Sequence, residues 1–193
     1  MAFKQFALWT LVWLLCNETS EASEFWGGLS LSAGQGTAAV STESSPPKIG
    51  VYSVHATIGF GAFNFFLFGA RSSFSIIDQT SEVGTLGNRR GTRTNPISPV
   101  LGFDAKYVRL LFEYQFTGDY VLSQNTSTST QLKYTAPDGF GVELIFNLKS
   151  WLGVGIRYED VSFGKEQNGA GSPLDLPTKL GLQNTGVIID AHF

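Results

Sequence analysis

The side chains able to do chemistry in this chain of 193 residues are two histidines, one cysteine and a series of charges placed at every second residue. His55 precedes Thr57 by two positions, and an extended strand puts such a pair on one face, where an imidazole could act as base toward a hydroxyl. Thr57 would have to serve where serine is the usual nucleophile, so the match reads as chance and His55 as a hydrogen-bonding residue. His192 is penultimate, inside the end of a strand, out of reach of a substrate from outside. Two histidines and Cys16 cannot assemble a metal set at these spacings, and no glycine-rich loop leads into a helix that could cradle phosphate. The chain therefore reads as a non-enzyme with no metal and no cofactor.

The alternating charges are Arg71, Asp104, Arg109, Glu113, Glu143, Arg157, Glu159 and Asp190. What positions them is a period of two. Val108, Leu110, Phe112, Tyr114 and Phe116 alternate with Arg109, Leu111, Glu113, Gln115 and Thr117. Further strands follow the same rule over 25–33, 52–60, 66–76, 97–105, 140–147, 152–159 and 186–193, with Pro99 interrupting one and Pro137-Asp138-Gly139 announcing a break before another. Eight strands result. Gln35 to Lys48, Asp78 to Pro96, Gly118 to Gln131 and Gly164 to Asn184 are expected to be long loops, whereas the links at 61–64, 106–107 and 148–150 are short turns. That rhythm predicts an all-β, antiparallel up-and-down meander with two unlike ends.

The N-terminus stands apart. Lys4, the apolar run Phe6 to Cys16 and the small-residue pattern Ser20-Glu21-Ala22 read as a signal peptide over 1–22, leaving a cysteine-free domain over 23–193. Thirteen basic against 16 acidic residues and only 15% charged residues exclude nucleic-acid binding by bulk charge. Hydrophobic residues at 42% exclude disorder, and one cysteine excludes a disulfide scaffold.

Period two does not say which face is inside. A soluble barrel would put its greasy face in the lumen; a membrane barrel inverts this. Inversion is favoured by polar faces built from Gly, Ser and few charges, by strands of about nine to eleven residues, and by aromatic residues near strand ends such as Phe25, Tyr52, Phe60, Phe116 and Tyr158.

The terminal strand Gly186-Val187-Ile188-Ile189-Asp190-Ala191-His192-Phe193 then carries a resemblance. With the signal peptide and the unlike ends, the chain resembles the small eight-stranded outer-membrane barrels of Gram-negative bacteria, the class of the OmpA transmembrane domain and OmpX. Ala191 departs from that pattern, being smaller than the bulky residue usual there. The resemblance implies a monomer in the cell outer membrane with both termini periplasmic, and Phe193 as the signal for the barrel-assembly machinery. An eight-stranded lumen is just filled by side chains, so the eight charges are expected to pair as a polar plug, the alternative being a narrow, porin-like pore for ions or small solutes. Structural and surface-interaction roles then fall to the loops. Arg89, Arg90 and Arg93 form a basic tip suited to lipopolysaccharide phosphates.

Overall fold

The computed structural model describes residues 25–40, 46–62, 65–80, 89–123 and 131–193. The expected signal peptide with Cys16, and the polar run 124–130, lie outside the described residues. Nine strands occur among the described residues: β1 (Phe25–Val40), β2 (Lys48–Ala62), β3 (Phe66–Thr80), β4 (Arg89–Ala105), β5 (Val108–Gln115), β6 (Asp119–Leu122), β7 (Leu132–Lys149), β8 (Leu152–Asn168) and β9 (Leu174–His192). All pairings are antiparallel and β1 closes on β9; each strand pairs with its sequence neighbour except β5 and β6, which each pair with β4 on one side and β7 on the other. Both β5 and β6 lie between β4 and β7, so the nine strands make eight staves. Closure leaves no sheet edge around the ring.

The fifth stave is broken for a local reason. Gly118 adopts φ +109°, and a Cβ there would come 2.0 Å from the Thr94 carbonyl oxygen, so only glycine fits. Across from it, β4 carries a bulge in which Pro96 and Ile97 together oppose Ser72. Proline has no N–H to give a ladder, and a bulge is where a sheet tolerates it. Thr117 donates its hydroxyl to the Ile97 carbonyl at 2.6 Å, closing part of this seam.

The strands are longer than period two predicted. Much of the expected loop sequence is strand, over 35–40, 89–96, 119–122, 164–168 and 174–184, and the last long connection shrinks to 169–173. The expected break at Pro137 to Gly139 lies within β7, where the irregular residue is Ala136, at φ 56°. The short turn at 106–107 falls where the sequence put it, that expected at 148–150 lies at 150–151, and of the one expected at 61–64 residues 61–62 are strand and 63–64 lie outside the described residues. One end of the barrel therefore carries short turns and both strand termini, and the other is a tall projection of hairpins.

On most staves the two stretches have opposite polarity, β4 being the exception with Arg93 and Asn95 inward. Near the turn end, outward residues are apolar and exposed, as with Leu29, Leu31, Tyr52, Ile58, Phe74, Leu101, Phe112, Phe146, Ile156, Val187 and Ile189, while the inward face is Ser, Gly and charge with one small apolar cluster among them. Farther along the same strands Ala38, Ile49, Val51, Ile77, Tyr120, Leu122, Val161, Phe163, Leu180 and Leu182 turn inward as one apolar core. Their outward neighbours there are polar: Gln35, Asp78, Thr94, Asp160, Ser162 and Gln183.

Candidate functional site

The structure brings the eight expected lumen charges inside the barrel and divides them into two clusters. In the central cluster Arg71 donates to both Glu143 oxygens, Nη2 to Oε2 at 2.9 Å, and Nε reaches Thr57 Oγ1 at 2.9 Å. Arg157 bonds Glu113 at 2.7 Å, Glu159 at 3.2 Å and Glu143. Glu159 also accepts from Arg93 at 2.6 Å and from Asn184 at 2.8 Å, and Asn95 donates to the free side of Glu113 at 3.3 Å. Three guanidinium groups thus meet three carboxylates, all at 3% side-chain exposure or less. Charge neutrality and filled lone pairs are what make such burial tolerable.

The second cluster sits at the turn end. Arg109 lies between Asp104, with Nε to Oδ2 at 2.9 Å, and Asp190 at 3.1 Å, and its guanidinium stacks over Trp26 at 5.8 Å. Asp190 accepts further bonds from Ser30 and from His192 Nδ1, each at 2.8 Å.

Apolar layers separate these clusters. Trp26, Leu67, Val100, Leu111, Ile145 and Ile188 pack together between the terminal and the central charges, and the larger apolar core lies beyond the central cluster. The order can be followed along β9 alone, whose inward residues run Asp190, Ile188, then Asn184, Leu182 and Leu180. The central cluster, three guanidinium groups against three carboxylates, is thus a neutral plug with apolar residues on both sides of it.

Arg93 lies away from the tip assigned to it by the sequence. The bulge at Pro96 and Ile97 reverses the inward parity of β4, so Arg93 and Asn95 point into the lumen. A proline in the middle of an alternating run was the available signal. Arg90 is at the surface, with its Nε 2.7 Å from Asp78, while the side chain of Arg89 lies outside the described residues. His55 is fully buried and bonds Ser32 through Nε2 at 3.1 Å, whereas Thr57 accepts from Arg71, so the two do not form a pair. The sequence reading gave no role to Gln115, Asn184 or Asn95, whose amides complete the carboxylate shells.

Phe193 lies at the closure. Its backbone exchanges bonds with Gly27 at 2.9 and 3.0 Å, and its ring covers Gly27 so closely that a Cβ there would come 2.8 Å from it.

No protein-family model and no curated protein sequence matches the chain. Solved structures do. Neisserial surface protein A (NspA) superposes with a TM-score of 0.53 at 11% identity, over 88% of this chain and 99% of that one. Ail, the attachment invasion locus protein of Yersinia pestis, gives 0.51 at 17% identity, over 86% and 99%. Ail is also similar at 0.50 in its complex with the heparin analogue sucrose octasulfate. The chain has the fold of the small eight-stranded outer-membrane β-barrels. In that fold the apolar outer wall and the charged interior are the expected inversion of a soluble barrel.

Proposed function

We propose that this chain is an integral outer-membrane surface protein whose closed barrel anchors a folded projection used for interaction. The observation that carries it is the reversal of polarity along most of the staves. An exposed apolar wall of this extent belongs in hydrocarbon, and the polar wall above it belongs in water. The short-turn end, with Phe25 and Phe193, then faces the periplasm, and the hairpins face outward. Phe193, exposed and at the closing strand pair, is the part we assign to recognition by the barrel-assembly machinery, and a monomer is the form proposed.

The described part of the projection is packed around its own apolar core. Its core is continuous with the barrel, and Arg90, Lys133, Lys165 and Lys179 each face a carboxylate: Asp78, Asp119, Asp175 and Asp138. A surface so balanced recognises by shape and hydrogen bonding more than by net charge. Contact with lipopolysaccharide is proposed at Arg90, which lies on the outer wall just beyond the apolar band. The likeness to an attachment protein supports a role in surface contact, and a non-enzymatic role is part of the proposal.

Conductance decides between this reading and a pore. Purified protein in a planar bilayer should show no steady ionic current, because two apolar layers interrupt the lumen. A large, steady current in the wild type would instead establish the pore reading.

A further inference from the structure

We infer that the turn-end mouth of the barrel is a binding site for the zwitterionic headgroup of a phosphoethanolamine lipid. The inference rests on the membrane placement proposed above, which sets this mouth at the inner leaflet. A cavity of about 550 Å³ opens there, within the roughly 300 to 1,000 Å³ usual for small-ligand sites. It is a dead end, since Trp26 and Leu67 belong to the apolar layer that closes the lumen behind it.

Its polar groups are sorted by sign. At the rim, Lys106 and Lys149 stand on two neighbouring turns that are tied together by Asn147 N–H donating to the Tyr107 carbonyl at 2.9 Å. Each ammonium lies over an aromatic ring of its own turn, Tyr107 at 5.5 Å and Trp151 at 5.6 Å. The two lysines therefore offer two cations on one side of the mouth, suited to a phosphate.

Below them the Arg109 guanidinium is spent on Asp104 and Asp190, and the groups left over are acceptors. Asn147 spends its amide N–H groups on Asp104 Oδ1 at 3.3 Å and the Ala105 carbonyl at 3.2 Å, and its Oδ1 has no partner. That assignment is fixed by its neighbours, because an amide turned over would set oxygen against oxygen. Asp104 is about a quarter exposed, with Oδ1 receiving only the Asn147 bond. His192 is turned away from the ligand, its Nδ1 bonded to Asp190 at 2.8 Å. Two acceptors, Asp104 Oδ1 and Asn147 Oδ1, with cations above them fit a ligand whose N–H-bearing cation enters first and whose anion stays at the rim. Phosphoethanolamine has that order of charge. Its acyl chains would leave past Phe25 and Phe193, which line the mouth and are exposed on the outer wall at the same level. A choline headgroup has no N–H to donate, and a glycerol headgroup has no cation.

The test is native mass spectrometry of the full chain folded in detergent, offered phosphatidylethanolamine, phosphatidylcholine and phosphatidylglycerol with identical acyl chains. Retention of the ethanolamine lipid should exceed that of the others by about tenfold, which corresponds to about 1.4 kcal/mol. Lys106→Gln with Lys149→Gln, and separately Asn147→Leu, should each remove most of the preference. Glycerophosphoethanolamine, the headgroup without chains, should compete. Equal retention of all three lipids, retention of none, or a preference that survives both variants overturns the site. The same samples, tested for liposome insertion and for a gel-mobility shift on heating, report on membrane placement independently. A chain that inserts but does not discriminate loses only this site, and one that stays soluble without detergent loses both.

Discussion

The band near the turns and the projection above it are built from the same eight staves, yet they bury opposite things. In the band Arg71, Arg157, Glu113 and Glu143 are inside and Leu31, Ile156 and Val187 are outside; in the projection Val161, Phe163 and Leu182 are inside and Asp160 and Gln183 are outside. Backbone geometry is common to both, so the difference comes from the surroundings. Hydrocarbon against the wall removes the hydrophobic gain from turning apolar groups inward, and the lumen is then free to hold charge provided it pairs. Water against the wall restores that gain, and the projection packs like an ordinary soluble core.

The largest contrast should come from emptying the core of the projection. Phe163→Ala removes a fully buried ring, and is expected to cost about 3 to 5 kcal/mol of unfolding free energy in detergent. Phe146→Ala, on the outer wall of the band, should cost much less, because lipid or detergent fills the space. Equal costs would mean that both rings are packed against protein.

Breaking the charge pairing comes next. Arg109→Leu leaves Asp104 and Asp190 facing each other without their shared cation, at a cost of about 3 to 5 kcal/mol for a dry site and less where water enters the mouth. Chemical unfolding in detergent reads the loss. No change in stability would place these charges in open water.

A charge on the outer wall separates the two regions more directly. Leu144→Arg should cost about 2 to 4 kcal/mol near the bilayer midplane, whereas Gln183→Arg, on the same face of the projection, should leave folding into liposomes unaffected. Deletion of Phe193 should act on yield, lowering the folded fraction recovered from outer membranes while leaving the stability of what does fold within about 1 kcal/mol of wild type, as for a surface change.

The smallest effect is one of pH. Burial raises the Asp119 carboxyl, but the Lys133 ammonium and the Thr94 hydroxyl bonded to it hold it below the usual carboxylate range. A depressed acid stabilises above its unfolded value and loses that contribution as pH falls through its folded value. The protection of β6 amides against hydrogen exchange should therefore hold through mildly acid solution and fall only below the ordinary carboxylate range, and Asp119→Asn should remove the dependence.

The sequence made the band legible because a single greasy face with period two runs through Val108 to Phe116 and Leu152 to Tyr158. The projection was hidden by the reversal itself. Where the solvent changes, apolar residues move to the other parity, as from Ile156 and Tyr158 to Val161 and Phe163, and the adjacent Ile76 and Ile77 face opposite ways. Read with one fixed phase, those stretches look irregular and pass for loops. The charges of the site were visible as alternating residues, but Arg93 needed the bulge at Pro96, and the separation of Arg109 from Arg71 needed the tilt of the staves.

Depth of the outer wall is the most direct test of the central claim. The mature chain expected from the sequence is free of cysteine, so a fluorophore can be placed singly at Ile156→Cys and at Gln183→Cys in liposomes containing brominated lipid. Quenching by the brominated chains at position 156 and by aqueous iodide alone at position 183 is the expected result. Iodide quenching of both, with no effect of the lipid, would contradict a barrel whose polarity reverses at the membrane surface.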